Sequence, residues 1–292
     1  MFNDKTLAFI GSGQMAEAMI AGLVDKNIMH PEQIIASGPR ETRARELTAR
    51  YGIKTTIDNM MAAGEADIIV LSVKPQVIDD ALPKNSPDIT NCDLIISIAA
   101  GVTIEHLVNH LGNPRVARAM PNTPAKIGKG ITVWAATSQV SDQQRDQAQA
   151  ILQAFGDEIF VDKEDYLDMA TALSGTGPAY VFMFLEAMVD AGVHLGFSRR
   201  VARQLVLKTT LGAAEYANQT DEHLAALRNQ VTSPGGTSAE ALYHLEKGGF
   251  RTVISRAVWA AYQRSVALGG GKKVSQRLTN PRANGDPNNG DN

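Results

Sequence analysis

The short run Thr6-Leu7-Ala8-Phe9-Ile10 feeds directly into Gly11-Ser12-Gly13-Gln14-Met15-Ala16, and Met15, Met19, Leu23 and Val24 then recur at helical spacing. Strand, glycine turn and helix in that order are the opening unit of a parallel, helix-covered sheet. Gly11 permits the tight turn, and Gly13 lets a pyrophosphate approach the backbone. Ala16 replaces a third glycine and is still small enough for the helix to pack closely on the strand. Residues 11–16, with Ser12, Gln14 and Met15 inside the turn, are the expected dinucleotide-binding element.

The following stretches fit that opening. Gln33-Ile34-Ile35-Ala36-Ser37 is the next strand candidate, about 20 residues past the glycines, where a ribose is read. An NAD-preferring site wants an acidic residue there, but the chain has Ser37 and Arg40, with Arg43 and Arg45 beyond. A hydroxyl and guanidiniums suit a 2′-phosphate better. NADPH is therefore the expected cofactor, with NADH also accepted. Ala66 to Val73 is nearly continuously apolar, as a strand covered on both faces should be. It ends in Val73-Lys74-Pro75-Gln76. Leu94 to Ile98 ends in Ala99-Ala100-Gly101, and Arg115 to Met120 ends in Pro121-Asn122-Thr123-Pro124. Three successive strands thus close on small or polar residues, which keeps the carboxyl edge of the sheet open for a ligand. Gly130 to Ala135 and Glu158 to Val161 are further strand candidates around a 142–155 helix. Lys74, directly after a strand, is open to reading as a cofactor contact, a substrate contact or a surface lysine.

After about Asp162 the pattern becomes helical throughout. Tyr166 to Ala217 and Ala239 to Leu268 are rich in Ala, Leu, Met and Val without strand-like alternation. Ser174-Gly175-Thr176-Gly177-Pro178 interrupts the first of these with residues that weaken a helix, which suggests close approach of another backbone or of a ligand. Val201 to Ala217 carries apolar positions on more than one face, so a partner subunit is expected to cover it. The expected division is a Rossmann dinucleotide-binding domain over 1–163, an all-α dimerisation and substrate domain over 164–271, and a disordered tail over 272–292. A net charge of −3 and a pI near 6.1 argue against nucleic-acid or anionic-membrane surfaces. No apolar run reaches membrane-spanning length, and the N-terminus lacks the basic and apolar regions of a signal peptide. With one cysteine, Cys92, the expected compartment is the cytoplasm. No metal set is expected: the histidines are scattered, and His106 and His110 lack the Glu of a zinc-binding HExxH helix.

Ser233-Pro234-Gly235-Gly236-Thr237-Ser238 is the second diagnostic stretch, because Ala239, Leu242 and Leu245 follow it at helical spacing. Proline restricts one turn position, and the two glycines leave backbone N–H groups uncovered. A bare turn rimmed by hydroxyls at a helix start suits an anion such as a carboxylate.

Gly11 to Ala16, Val73 to Gln76, Ser97 to Gly101, Arg118 to Pro124, Ser174 to Tyr180 and Val231 to Ser238, in this order, resemble pyrroline-5-carboxylate reductases over about residues 5 to 270. The resemblance implies reduction of the cyclic imine Δ1-pyrroline-5-carboxylate to L-proline by NAD(P)H, the last step of proline biosynthesis. It further implies a Rossmann domain, a helical domain that interlocks with a second subunit, and a substrate pocket at that interface. Homodimers, or a higher assembly of dimers, follow. By the same resemblance Lys74, Ala99, Asn122 and Pro124, with Val73, Pro75 and Ala100 beside them, should line the nicotinamide region. Ser174, Gly175, Gly177 and Pro178 should pack near the substrate, whose carboxylate falls to Ser233, Gly235, Gly236 and Thr237. A family threonine placed to reach the imine nitrogen is Ser238 here, which keeps the hydroxyl and loses the methyl that stiffens its rotamer. Ser238 and Lys74 are the catalytic candidates. The alternatives are a related Rossmann enzyme acting on another small imino or hydroxy acid, and a cofactor sensor. A β-hydroxyacid dehydrogenase is disfavoured because no lysine stands between Thr171 and Leu207.

Overall fold

Successive residues of the inner strands belong alternately to two apolar cores. Leu7, Phe9, Ile34, Val70 and Ile96 enter one, and Ala8, Ile10, Ile35, Leu71 and Ile95 enter the other. A strand that is apolar at every position therefore has both faces covered, as parallel sheets require. In the computed structural model, which describes residues 1–270, eight strands form one sheet. They are β1 (Leu7–Ile10), β2 (Ile34–Ser37), β3 (Lys54–Thr56), β4 (Ile68–Leu71), β5 (Leu94–Ser97), β6 (Val116–Met120), β7 (Gly130–Ala136) and β8 (Gly156–Phe160).

Their order is β3-β2-β1-β4-β5-β6-β7-β8, and only β6 and β7 pair antiparallel. The chain winds outward in both directions from β1. That reversal opens a crevice at the carboxyl end of β1, where the Gly11 turn lies. The polar strand β3 was not among the expected strands. Elsewhere the observed boundaries differ from the expected ones by a residue or two at most ends, as with β2, which starts at Ile34. The Gln14–Asp25 helix buries Ala16, Ala18, Met19, Ile20 and Leu23 against the first core.

From Asp165 onward the described residues are helical. The helices are Asp165–Ala170, Gly177–His194, Arg199–Asn218, Leu224–Gln230, Thr237–Lys247 and Phe250–Leu268. The segment expected to interrupt the first long helix does not end it. Thr171–Gly175 forms a π turn, and the Thr176 N–H donates to Thr171 O at 2.8 Å. Asp165–His194 consequently runs as one 30-residue stretch, long and apolar enough by length and composition to cross a membrane. This corrects the expectation that no stretch of the chain meets that criterion.

The core of this helical half is small: Val189, Ala202 and Val206, with Leu185 and Val193 against them. Gly192 lets two helices meet, since a Cβ there would lie 2.9 Å from Ala202 Cβ. By contrast Phe182, Met183, Leu195 and Leu211 are exposed, at 64%, 74%, 80% and 52%. Apolar area of this extent marks an association surface. The expected tail, 272–292, lies outside the described residues.

Candidate active site

The glycine turn is held from three sides. Gly11 has φ +106°, and a Cβ there would come within 2.8 Å of the Ser72 carbonyl carbon and of Val73 N. Only glycine meets both demands. The Ser72 hydroxyl donates to Gly11 O at 2.7 Å. Arg43 Nε donates to Ser12 O at 3.1 Å, tying the turn to the Glu41–Tyr51 helix. Gly13, by contrast, has open space where a side chain would stand, and the Gln14–Asp25 helix begins there with no side chain on its first N–H groups. Bare amides at a positive helix end beside open space fit a pyrophosphate.

Arg43 is itself braced by Glu17 at 2.5 Å and Glu46 at 3.2 Å, and Glu17 also accepts from Arg50 and Tyr51. The Arg43 hydrogen bond holds Glu17 below its ordinary value of 4.5, against the opposing effect of partial burial. A depressed carboxylate contributes stability above its unfolded value and loses it as pH falls through the folded value. Glu17→Gln is expected to lower the thermal midpoint by about 2–4 °C near neutral pH. That difference should shrink below about pH 4.5; a gap that persists undiminished in acid would contradict the account.

At the ribose end the structure corrects the assignment of Ser37. Its side chain is fully buried, with the hydroxyl 2.8 Å from Asn59 Oδ1 and 3.3 Å from Phe9 O. That hydroxyl is occupied inside the protein and is not offered to a ligand. Arg43 and Arg45 are also committed, to Glu17 and Glu41 respectively. Arg40 is exposed just before the Glu41–Tyr51 helix and has no carboxylate partner among the described residues.

The carboxyl ends of β4, β5 and β6 carry the other sheet-edge residues. Val73 adjoins Gly11, Lys74 is exposed at the start of the Pro75–Val77 turn, and Ala99 is buried with its N–H on Ser97 Oγ. Ala100 leads into Gly101, whose φ of +75° lets the end of the last helix approach: a Cβ there would lie 2.8 Å from Leu268 Cβ. Pro124 sits in the Thr123–Ile127 turn, from which Lys126 Nζ donates to the Gln14 side chain.

Asn122 joins the two halves of the site. Its Nδ2 donates to Ser174 O at 3.2 Å, and its Oδ1 accepts from Ile131 N at 3.0 Å. Met120 packs on Gly175, 3.1 Å from where a Cβ would stand. The π turn of Ser174 and Gly175 is therefore seated directly on the end of β6. The Ser174 hydroxyl donates back to Ala170 O, while Gly177 faces open space ahead of Pro178.

The Ser233–Ser238 turn stands apart. No hydrogen bond or salt bridge among the described residues ties it to the sheet edge. Gly235 has φ +70°, and the Gly236 N–H donates to Ser233 O at 3.0 Å, a turn with Pro234 at its second position. Gly236 caps the Thr237–Lys247 helix without a side-chain bond. The N–H groups of Thr237, Ser238 and Ala239 thus open outward, beside the hydroxyls of Ser233, Thr237 and Ser238.

Sequence reasoning missed Asn59, Glu164, Asp168 and Ser265; it placed Arg43 toward the cofactor phosphate, where the structure pairs it with Glu17, and it took Arg118 only as part of the family stretch. A charged residue at position 118, inside an otherwise apolar strand, was the available signal.

Residues 164–268 match the family described as pyrroline-5-carboxylate reductase dimerisation, and residues 6–101 match NADP oxidoreductase coenzyme F420-dependent. A pyrroline-5-carboxylate reductase of Synechocystis sp. is 42% identical, over 90% of this chain and 98% of the relative. The solved structure of a pyrroline-5-carboxylate reductase from Coxiella burnetii superposes with a TM-score of 0.84 at 36% identity, covering 92% of this chain and 100% of that one. The Plasmodium falciparum pyrroline carboxylate reductase solved with NADP bound gives 0.83 at 33%, with coverage of 92% and 100%.

Proposed function

This chain belongs to the pyrroline-5-carboxylate reductase family, and we propose that its glycine turn, the sheet edge beside it and the Ser233–Ser238 turn divide that reaction among them. The enzyme reduces Δ1-pyrroline-5-carboxylate to L-proline. A nicotinamide dinucleotide, when bound, supplies the hydride that reaches the carbon of the cyclic C=N bond. The strongest support for placing the dinucleotide is the Gly11–Gly13 cradle, shut to any side chain at Gly11 and open at Gly13.

In this reading the N–H groups from Gly13 to Ala16, with Ser12, Gln14 and Met15, hold the pyrophosphate. Val73, Lys74, Pro75, Ala99, Ala100, Asn122 and Pro124 border the nicotinamide. Asn122 already spends both ends of its amide on Ile131 and Ser174, so it acts by fixing the edge. The carboxylate of the substrate is held by Ser233, Gly235, Gly236 and Thr237. Ser238 hydrogen-bonds the imine nitrogen, which makes the C=N carbon the better hydride acceptor. Lys74 is a cation at the mouth of the site. Ser174, Gly175, Gly177 and Pro178 form the floor on the substrate side.

The chain self-associates through its dimerisation region. We take the dimer as the unit that completes the site, because the turn lacks a described tie to its own sheet edge while the surrounding helices expose apolar faces. The functional boundary falls between residues 163 and 164. The cytoplasm is the compartment that fits Cys92, whose thiol is buried and pushed up to about 12, chiefly by that burial.

NADPH is the proposed preferred cofactor, and Arg40 the residue that selects it. The test is oxidation of NADPH and, in parallel, NADH with and without added imine, proline being assayed as product. Arg40→Glu should lower the NADPH-to-NADH ratio of kcat/KM by about 10-fold or more, the worth of one charge-assisted phosphate contact. An unchanged ratio would remove Arg40 from the site; imine-independent oxidation would remove the reaction itself.

A further inference from the structure

We propose that Arg118 is a positioning residue, the centre of a buried clasp that sets the spacing between the nicotinamide edge of the sheet and the substrate-side helices. Its side chain is 4% exposed. Nη1 donates to Glu164 Oε1 at 2.6 Å, and Nη2 lies 3.7 Å from Asp168 Oδ1. Each carboxylate oxygen has a second partner on another element. Glu164 Oε1 accepts from Ile104 N at 2.8 Å, at the start of the helix that follows the Ala99–Gly101 loop. Asp168 Oδ1 accepts from the Ser265 hydroxyl at 2.6 Å, and Ser265 is itself buried in the last helix.

The clasp lies where the two halves of the site meet. On the sheet side, Arg118 is two residues before Met120 and four before Asn122, which carry the π turn of Ser174 and Gly175. On the helical side, Asp168 lies in the short Asp165–Ala170 helix that runs into that same π turn. Three residues beyond Ser265, Leu268 abuts Gly101 in the loop after β5. One guanidinium thus connects β6, the loop after β5, the helix entering the π turn and the last helix. A buried charge must keep its partners, so this spacing has one favoured value.

The inference rests on the reading of the sheet edge as the hydride-transfer site. Its consequence is specific, since a shift of the substrate side relative to the edge costs rate more than it costs cofactor affinity.

The experiment compares Glu164→Gln, Arg118→Lys and Ser265→Ala with the unmodified dimer. NADPH affinity, read by nucleotide fluorescence, should stay within about twofold, because no clasp residue borders the pyrophosphate turn. In Glu164→Gln and Arg118→Lys, kcat should fall about 10- to 100-fold with a smaller change in KM for the imine. The primary deuterium isotope effect on kcat should rise. In Ser265→Ala, which leaves the ion pair intact, kcat should fall about threefold with the same signature. In the cofactor-free proteins, amide exchange should quicken in Ala172–Thr176 and Gly101–Ile104 while the central strands stay protected. Unchanged kcat and isotope effect in Glu164→Gln and Ser265→Ala would overturn the proposal. So would an activity loss that tracks loss of NADPH affinity or of the dimer. Failure of the unmodified enzyme to turn over the imine is a separate result and would strike the underlying reading instead.

Discussion

Ser238→Ala is expected to lower kcat/KM for the imine by about 10²-fold, while NADPH affinity stays within about twofold. The size follows from the role proposed for the hydroxyl. The imine nitrogen gains electron density as the neighbouring carbon is reduced, so a donor at that nitrogen counts for more in the transition state than in the ground state. Ser238 is the second residue of the Thr237–Lys247 helix, and its neighbours Ser233 and Thr237, with the backbone N–H groups beside them, are in the same proposal given to the carboxylate. Ser238→Thr is the informative companion. It restores the methyl that restricts the rotamer and should hold or modestly raise kcat. Steady-state kinetics on the three enzymes with saturating NADPH decide the matter, and a fully active alanine enzyme would take Ser238 out of the mechanism.

Gly22→Ala should destabilise the protein by about 3 kcal/mol, the upper end of what overpacking costs. Alanine in a helix interior normally gains close to 1 kcal/mol over glycine, so the sign is decided by the neighbour. At Gly22 a Cβ would lie 2.7 Å from the Ala154 carbonyl carbon, and closer still to its oxygen. These are backbone atoms of a buried residue at the end of the Asp142–Gln153 helix, and they cannot rotate away as a flexible side chain could. The Gln14–Asp25 helix would have to lift from the sheet and carry the glycine turn with it. A fall in thermal midpoint of about 6–12 °C, with weaker NADPH binding, is the expected pair of results. A midpoint at or above that of the unmodified protein would mean that the two segments separate without cost.

The strands were legible because continuous apolar runs have few alternatives in a chain with this opening. β3 escaped because Lys54-Thr55-Thr56 is three polar residues long, and pairing with β2 rather than composition makes it a strand. The inward position of Ser37 follows from the two-residue alternation of the strand. Ser37 stands two residues after Ile35, on the face that enters the second core, so its hydroxyl points inward to Asn59. Arg118 obeys the same parity, two residues after Val116 on that face, which is why a cation in this strand must find carboxylates inside the protein.

The Ser174–Pro178 segment interrupts the regular helix as its composition suggests, but as a π turn, with Met120 close against Gly175. One wider turn with an i to i+5 bond absorbs the residues that an α-helix would not. The Ser233–Ser238 turn was legible because proline and glycine act locally. Its distance from the sheet edge was not, since that is a property of how whole helices pack.

Among the described residues the helical half buries only Val189, Ala202 and Val206 in a core cluster of its own, and shows Phe182, Met183 and Leu195 to the outside. A chain built this way borrows much of its stability from its twin. Dilution should therefore erode the fold along with the assembly, and the melting temperature should climb with protein concentration by mass action. In a cell, the amount synthesised would govern not only how much catalyst is present but also what fraction of each chain is folded at all.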